Sequence, residues 1–383
     1  MGETMEGLSK AEERAFVATQ YIPFAIQLHE VRRSVKQILD LFGRNSFFAE
    51  YTVHDFSHVE AMLEDLEWII PESTKEVMTA ADWLLITLAI YFHDLGLIVT
   101  EEEFQNRDVA NFDEFCNGVL FKHNDGKDYR QKVEALGKER AERFFYQEFV
   151  RFNHAKRVRA WIEGRAATEL GYARAQAVEL DRLLSGLDSE FRRDLANVCE
   201  SHNLDDLDDL QKYRPFRPYG RTPPETANVL YAAVILRTVD LLQITRQRAP
   251  SVMFRMINPT DPISQIEWTK QNAVRGISKT SIGQDRSRNV GRAVKYDRRL
   301  CQIRQRERVL WSHIVSQLRC KAARIFVWRC SESKRCYGQQ ASLSLARNRR
   351  LGGRSSWLHS QSIRVPYRSG QNTRSSYGAH VIQ

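Results

Sequence analysis

Seven side chains between residues 54 and 240 have the types and settings of metal ligands. His54 and His58 stand in TVHDFSHVEAML, and His93 and Asp94 follow a greasy run in IYFHDLGL. His154 lies in RFNHAKRVRAWI, His202 in CESHNLDDL, and Asp240 interrupts the apolar stretch VILRTVDLLQIT. A carboxylate among Val, Leu and Ile must be paired or bound to a cation, because an isolated buried charge is very costly. The same holds for His93 and Asp94. Imidazoles and carboxylates together suit Mn, Fe, Co, Ni or Zn better than Ca. Each member alone has a structural alternative: a buried His is commonly just hydrogen-bonded, and Asp240 can pair with Arg237 or Arg246. The ordered set H…HD…H…H…D, each member on or beside a helix, is what favours a shared site. His29 and His123 read as surface or packing residues, and Asp205, Asp206, Asp208 and Asp209 as a solvated acidic loop.

The elements that must position these groups are helical. From His58, the residues Val59, Met62, Leu63, Leu66 and Ile70 recur at the 3–4 spacing of an amphipathic helix. Met78 to Phe92 is apolar almost all round and predicts a central buried helix stopped near Gly96. Phe144 to Ile162, Leu180 to Cys199 and Asn228 to Ile244 predict further helices, with Asn106 to Gly137 a polar insertion between them. Proline falls mostly in punctuation, as in PFRPYGRTPP, and strand patterns are scarce. The expectation is a single all-α domain over residues 1–275.

Charge divides the chain at the same place. The 383 residues carry a net +9, but residues 1–275 sum to −10 and residues 276–383 to +19. This tail has 19 Arg, 4 Lys and 16 Ser against 4 acids, and no lasting helical or strand period. Three readings apply: an out-of-frame translation after a shift near Gly276, which fits the composition best; a disordered basic arm; or a folded domain. As an arm it would bind nucleic acid through Arg, with Trp311, Trp328 and Tyr337 available to stack. Its four Cys include no C-x-x-C pair, which argues against structural zinc. No purely apolar run reaches the roughly 18–20 residues of a membrane span, and the N-terminus lacks the pattern of a secretory signal. With six Cys in all, the expected setting is a reducing cytoplasm.

Over roughly Tyr51 to Pro250 the chain resembles the HD-domain superfamily of metal-dependent phosphohydrolases. His58 matches the family's first metal His, His93–Asp94 its defining doublet, and Asp240, in LRTVDLLQITRQRAP, its distal Asp. His154 and His202 match the two further His of two-metal members, and His54 resembles the leaving-group acid of the phosphodiesterase branch. The doublet is followed by Leu-Gly-Leu, without the Lys of HDIG-type doublets or the Glu-Asp of guanosine tetraphosphate hydrolases. There is no Gly-Tyr-Pro signature of cyclic-di-GMP hydrolysis. The subgroup it is most similar to is the bacterial HD-CE type, which longer proteins join to a heat-shock-type ATPase module. The resemblance implies an all-α, HD-domain-like helical bundle followed by a basic tail. It implies one or two divalent ions (Mn, Fe, Co, Ni, Zn or Mg) held by His58, His93, Asp94, His154, His202 and Asp240. Asp94 would bridge the ions, His54 would act as general acid, and Arg237, Arg246 and Lys156 are candidate phosphate clamps. The implied activity is hydrolysis of a nucleotide or other phosphorylated small molecule. The alternatives are a non-catalytic sensing module of an ATPase-linked system, or nucleic-acid binding through the tail.

Overall fold

A computed structural model describes residues 7–44, 47–51, 55–165, 174–220, 225–243, 248–278 and 293–296. The chain orders fourteen α-helices among these residues. They are α1 (Lys10–Ala18), α2 (Leu28–Arg44), α3 (Phe56–Ile69), α4 (Glu72–Lys75), α5 (Ala80–Phe92), α6 (Glu101–Gln105) and α7 (Val109–Phe115), then α8 (Asn124–Glu134), α9 (Lys138–Ile162), α10 (Arg174–Leu183), α11 (Ser189–Ser201), α12 (Val229–Leu242), α13 (Ser251–Ile257) and α14 (Pro262–Ala273). A 3₁₀ turn, Leu95–Leu97, follows α5, and a π-helical turn, Cys116–Leu120, follows α7. Two antiparallel ribbons complete the set: β1 (Arg217–Tyr219) with β2 (Glu225–Ala227), and β3 (Val274–Ser278) with β4 (Ala293–Tyr296).

The centre is α5. Twelve of its thirteen residues, Ala81 to Phe92, are buried, and α1, α3, α11 and α12 pack around it. The 18-residue window Ala80–Leu97 is apolar enough for a membrane span, but 83% of it is buried within the protein. Its apolarity is that of a core helix on which other helices close. Thr79 and Asp82 form a capping box that starts α5. Asp82 Oδ1 also accepts from the Asn228 amide at 2.6 Å, and Asn228 in turn caps α12. One carboxylate therefore ties the starts of α5 and α12 together. Running side by side, the two helices deliver His93 and Asp240 to the same end.

Two segments differ from the sequence expectation. Leu180 to Cys199 is two helices, α10 and α11. Gly186 lies so close to strand-like Ala25 that a Cβ would stand 1.9 Å from the Ala25 carbonyl oxygen, and Asp188 then caps α11 through the Glu190 and Phe191 amides. The stretch Asn106 to Gly137 is also helical. Phe112, Phe115, Tyr129 and Val133 join Phe144, Phe145, Tyr146 and Phe149 of α9 in an aromatic cluster. The basic tail, apart from residues 276–278 and 293–296, lies outside the described residues.

Candidate metal centre

Six elements bring six of the seven candidate residues to one place. His58 sits in the first turn of α3, after the Asp55 cap. His93 is the C-terminal cap of α5 and His202 that of α11. Asp94 leads into the 3₁₀ turn, His154 lies within α9, and Asp240 lies near the end of α12. His54 and Arg246 lie outside the described residues.

The donors form two groups. His58, His93 and Asp240 make one, and Asp94, His154 and His202 the other; within each, one donor atom per residue lies within 4.8 Å of the others. Asp94 faces both. Its Oδ2 is 3.3 Å from His93 Nε2 and 3.9 Å from His58 Nε2, and its Oδ1 is 3.9 Å from His154 Nε2. Asp240 Oδ1 lies 3.7 Å from His58 Nε2 and 3.9 Å from His93 Nε2. His58, His93, His154 and Asp240 are buried, while Asp94 and His202 are partly exposed and form the open side.

Backbone carbonyls set the ring orientations. His93 Nδ1 donates to Ile90 O at 2.9 Å, His154 Nδ1 to Arg151 O at 2.6 Å, and His202 Nδ1 to Cys199 O. Each acceptor is three residues back along a helix. A carbonyl acceptor assigns the proton to Nδ1 and leaves the Nε2 lone pair for a ligand, the arrangement usual for metal-binding His. His154 Nε2 and His202 Nε2 then face each other at 2.6 Å. Two lone pairs at that separation repel unless a positive charge is shared between them.

The electrostatics agree. Burial pulls the His93 imidazole down, but the Asp94 and Asp240 carboxylates outweigh it and hold the ring at about 9. Burial and the His202 ring push His154 down to about 4, and burial and the His93 ring do the same to His202. One group favours positive charge, and the other keeps its imidazoles neutral, as ligands must be. Four imidazoles and two carboxylates within reach of one another fit one or two divalent ions.

Comparison with known families decides the assignment. The HD-CE family model matches residues 48–295. The chain belongs to the HD-CE family, an HD-type family. No curated protein and no solved structure matches it. The family match spans all six elements of the centre and runs past Gly276 to β4.

Of the candidate clamps, Arg237 lies on α12 one turn before Asp240, and its positive charge reaches His202 and helps hold that ring down. Burial lowers Arg237 itself against the carboxylates of Asp205 and Asp206 and the Tyr213 hydroxyl. Two of the four acids in the run read as a solvated loop thus act on a half-buried arginine. Sequence reasoning also missed the three carbonyls behind the rings. For His93 and His202 the signal was present, since each stands at the C-terminal end of a helical run, where an i−3 carbonyl is within reach; His154, inside α9, gave no such sign.

Proposed function

We propose that this chain is a metal-dependent phosphohydrolase acting on a nucleotide or other phosphorylated small molecule. The observation that carries the reading is the double outlook of Asp94, with one oxygen toward His154 and the other toward His58 and His93. A carboxylate shared by two ligand groups is the arrangement a two-ion site needs. His58, His93 and Asp240 would hold one divalent ion, and His154 and His202 a second, with Asp94 common to both. Bound ions of this kind supply a hydroxide at neutral pH and neutralise charge on the phosphoryl oxygens.

The chain's own residues do the rest. The carbonyls of Ile90, Arg151 and Cys199 fix three rings with Nε2 inward. The burial of His58, His93, His154 and Asp240 keeps competing water from the inner side of the site. Asp94 and His202 leave an approach for the substrate, and Arg237 adds positive charge beside it. His54, four residues before His58, is the proposed proton donor to the leaving oxygen, a task suited to an imidazole.

The test is phosphate-ester cleavage by chelator-treated protein reloaded with Mn²⁺, Ni²⁺, Zn²⁺ or Mg²⁺, over nucleoside phosphates and bis(p-nitrophenyl) phosphate. Turnover that appears with metal, vanishes with chelator and falls at least a hundredfold in Asp94→Ala is expected. Metal-independent turnover would refute the metal-dependent reading, and none with any ion while the ions bind would leave a sensing role instead.

A further inference from the structure

The two ligand groups differ in what holds them. His58, His93 and Asp240 stand on α3, α5 and α12, which pack directly on one another. Asp94 and His154 are joined through a different contact, between the 3₁₀ turn and α9. Gly96 lies so near α9 there that a Cβ would stand 2.0 Å from the His154 carbonyl oxygen and 2.7 Å from its carbon. Both neighbours are backbone, so no side-chain rotation relieves the clash. The turn also begins at Asp94, whose carbonyl accepts from the Leu97 amide at 3.0 Å. The distance between Asp94 and His154 is therefore set within one backbone-to-backbone contact.

Arg157 closes that contact from the α9 side. It lies one turn beyond His154 and is 2% exposed. Its Nε donates to Gly96 O and its Nη2 to Ile98 O, each at 2.8 Å. Its charge meets Glu103, with Nη2 to Oε2 at 3.1 Å and Nη1 to Oε1 at 2.5 Å, and the Tyr146 hydroxyl also donates to Glu103, at 3.3 Å. A guanidinium can address two carbonyls and a carboxylate at once because its donors are fixed in one plane. None of these bonds reaches His58 or Asp240.

We propose that Gly96 and Arg157 are positioning residues that set the spacing of the Asp94–His154–His202 group and thereby decide whether the chain takes a second divalent ion. This rests on reading the six residues as ligands. It adds that occupancy of the second group is controlled separately from the first, by a clamp that touches no ion.

The experiment compares the full chain with Gly96→Ala and Arg157→Lys. Bound Mn²⁺ per chain is measured by elemental analysis and calorimetry, and folding by thermal melts. The parent chain should take two ions. Both variants should keep the first with affinity within about threefold and lose the second by about 10–100-fold, the usual effect of disturbing an outer-shell partner. Lysine keeps a cation beside Glu103 but cannot donate to both carbonyls, so Arg157→Lys should still fold, with a lowered melting temperature, and lose the second ion. Wild-type affinity for both ions in either folded variant overturns the proposal, as does equal weakening of both. If Gly96→Ala does not fold, Arg157→Lys decides alone. A parent chain that binds one ion overturns the clamp but leaves the metal site standing; a parent that binds none removes the metal reading itself.

Discussion

Asp94→Asn is the sharpest perturbation of the centre, because it removes one charge and changes almost no volume. The Asp94 oxygens lie 3.3–3.9 Å from imidazole nitrogens of both groups, so an ion held among those donors would lie no farther than about 4 Å from this carboxylate, and that distance gives a lower bound. At an effective dielectric of about 20, a pair of unit charges at that distance interacts by about 4 kcal/mol. Near 1.4 kcal/mol per tenfold, this is roughly three orders of magnitude in affinity. The second group loses most, since it is left with two imidazoles and no carboxylate. The expected outcome in calorimetric titration of Mn²⁺ into chelator-treated protein is loss of one binding event and weakening of the other by about 10²–10³-fold. Asp208→Asn, an exposed acid of the neighbouring run, should titrate like the parent. Two events in Asp94→Asn within threefold of wild-type affinity would refute the reasoning, because no bridging carboxylate can be neutral to both ions.

Two further outcomes follow from charges away from the ligands. Arg237→Ala should raise KM for a phosphoester about tenfold or more with kcat nearly unchanged, since its positive charge lies beside the open side of the site; an unchanged KM would assign Arg237 to packing. Glu148 is pushed up to about 7 by burial, against the opposing charge of Arg151 and with Asp261 and Glu267 adding to the rise. A carboxyl raised in the folded state adds stability below its unfolded value, near 4.5, and loses it as pH rises through about 7. Denaturant stability of the parent should therefore fall relative to Glu148→Gln between pH 5 and 7.5, by roughly 1–3 kcal/mol, and parallel pH profiles would refute this.

Much of the centre was legible because its constraints are local and strong. A His-Asp pair after an apolar helix and an Asp inside another are costly unless they share a purpose, and helical periodicity placed α3, α5 and α12 with only small errors at their ends. The partition of the ligands was less legible. Which oxygen of Asp94 faces which ring depends on the packing of α9 against the 3₁₀ turn, 60 residues apart in sequence, and Gly96 carries no sign of that contact. The break between α10 and α11 was hidden for a similar reason, since Gly186 meets Ala25 far away in the chain. The stretch around Phe112 and Tyr129 read as polar because a few aromatics among many charges suffice to seat short helices on an aromatic α9. The charge break at Arg275 and the family match to residue 295 do not coincide. Composition averages over a window, and the ordinary sequence of β3 continues through it.

The placement of His93 and His202 as C-terminal caps has a consequence for the order of events. Both α5 and α11, each thirteen residues long, end at this pocket, and the carboxyl end of a helix carries about half an elementary negative charge. Two such ends add about one negative charge of pure backbone to the two carboxylates. Against these stand the His93 ring, held at about 9, and the charge of Arg237, so the bare pocket stays negative on balance and disfavours an anion. On the proposed phosphohydrolase reading, cation loading would come first and reverse the sign of the field that a phosphoester meets on arrival. Free metal concentration would then act as the gate on substrate entry, with no side-chain movement required.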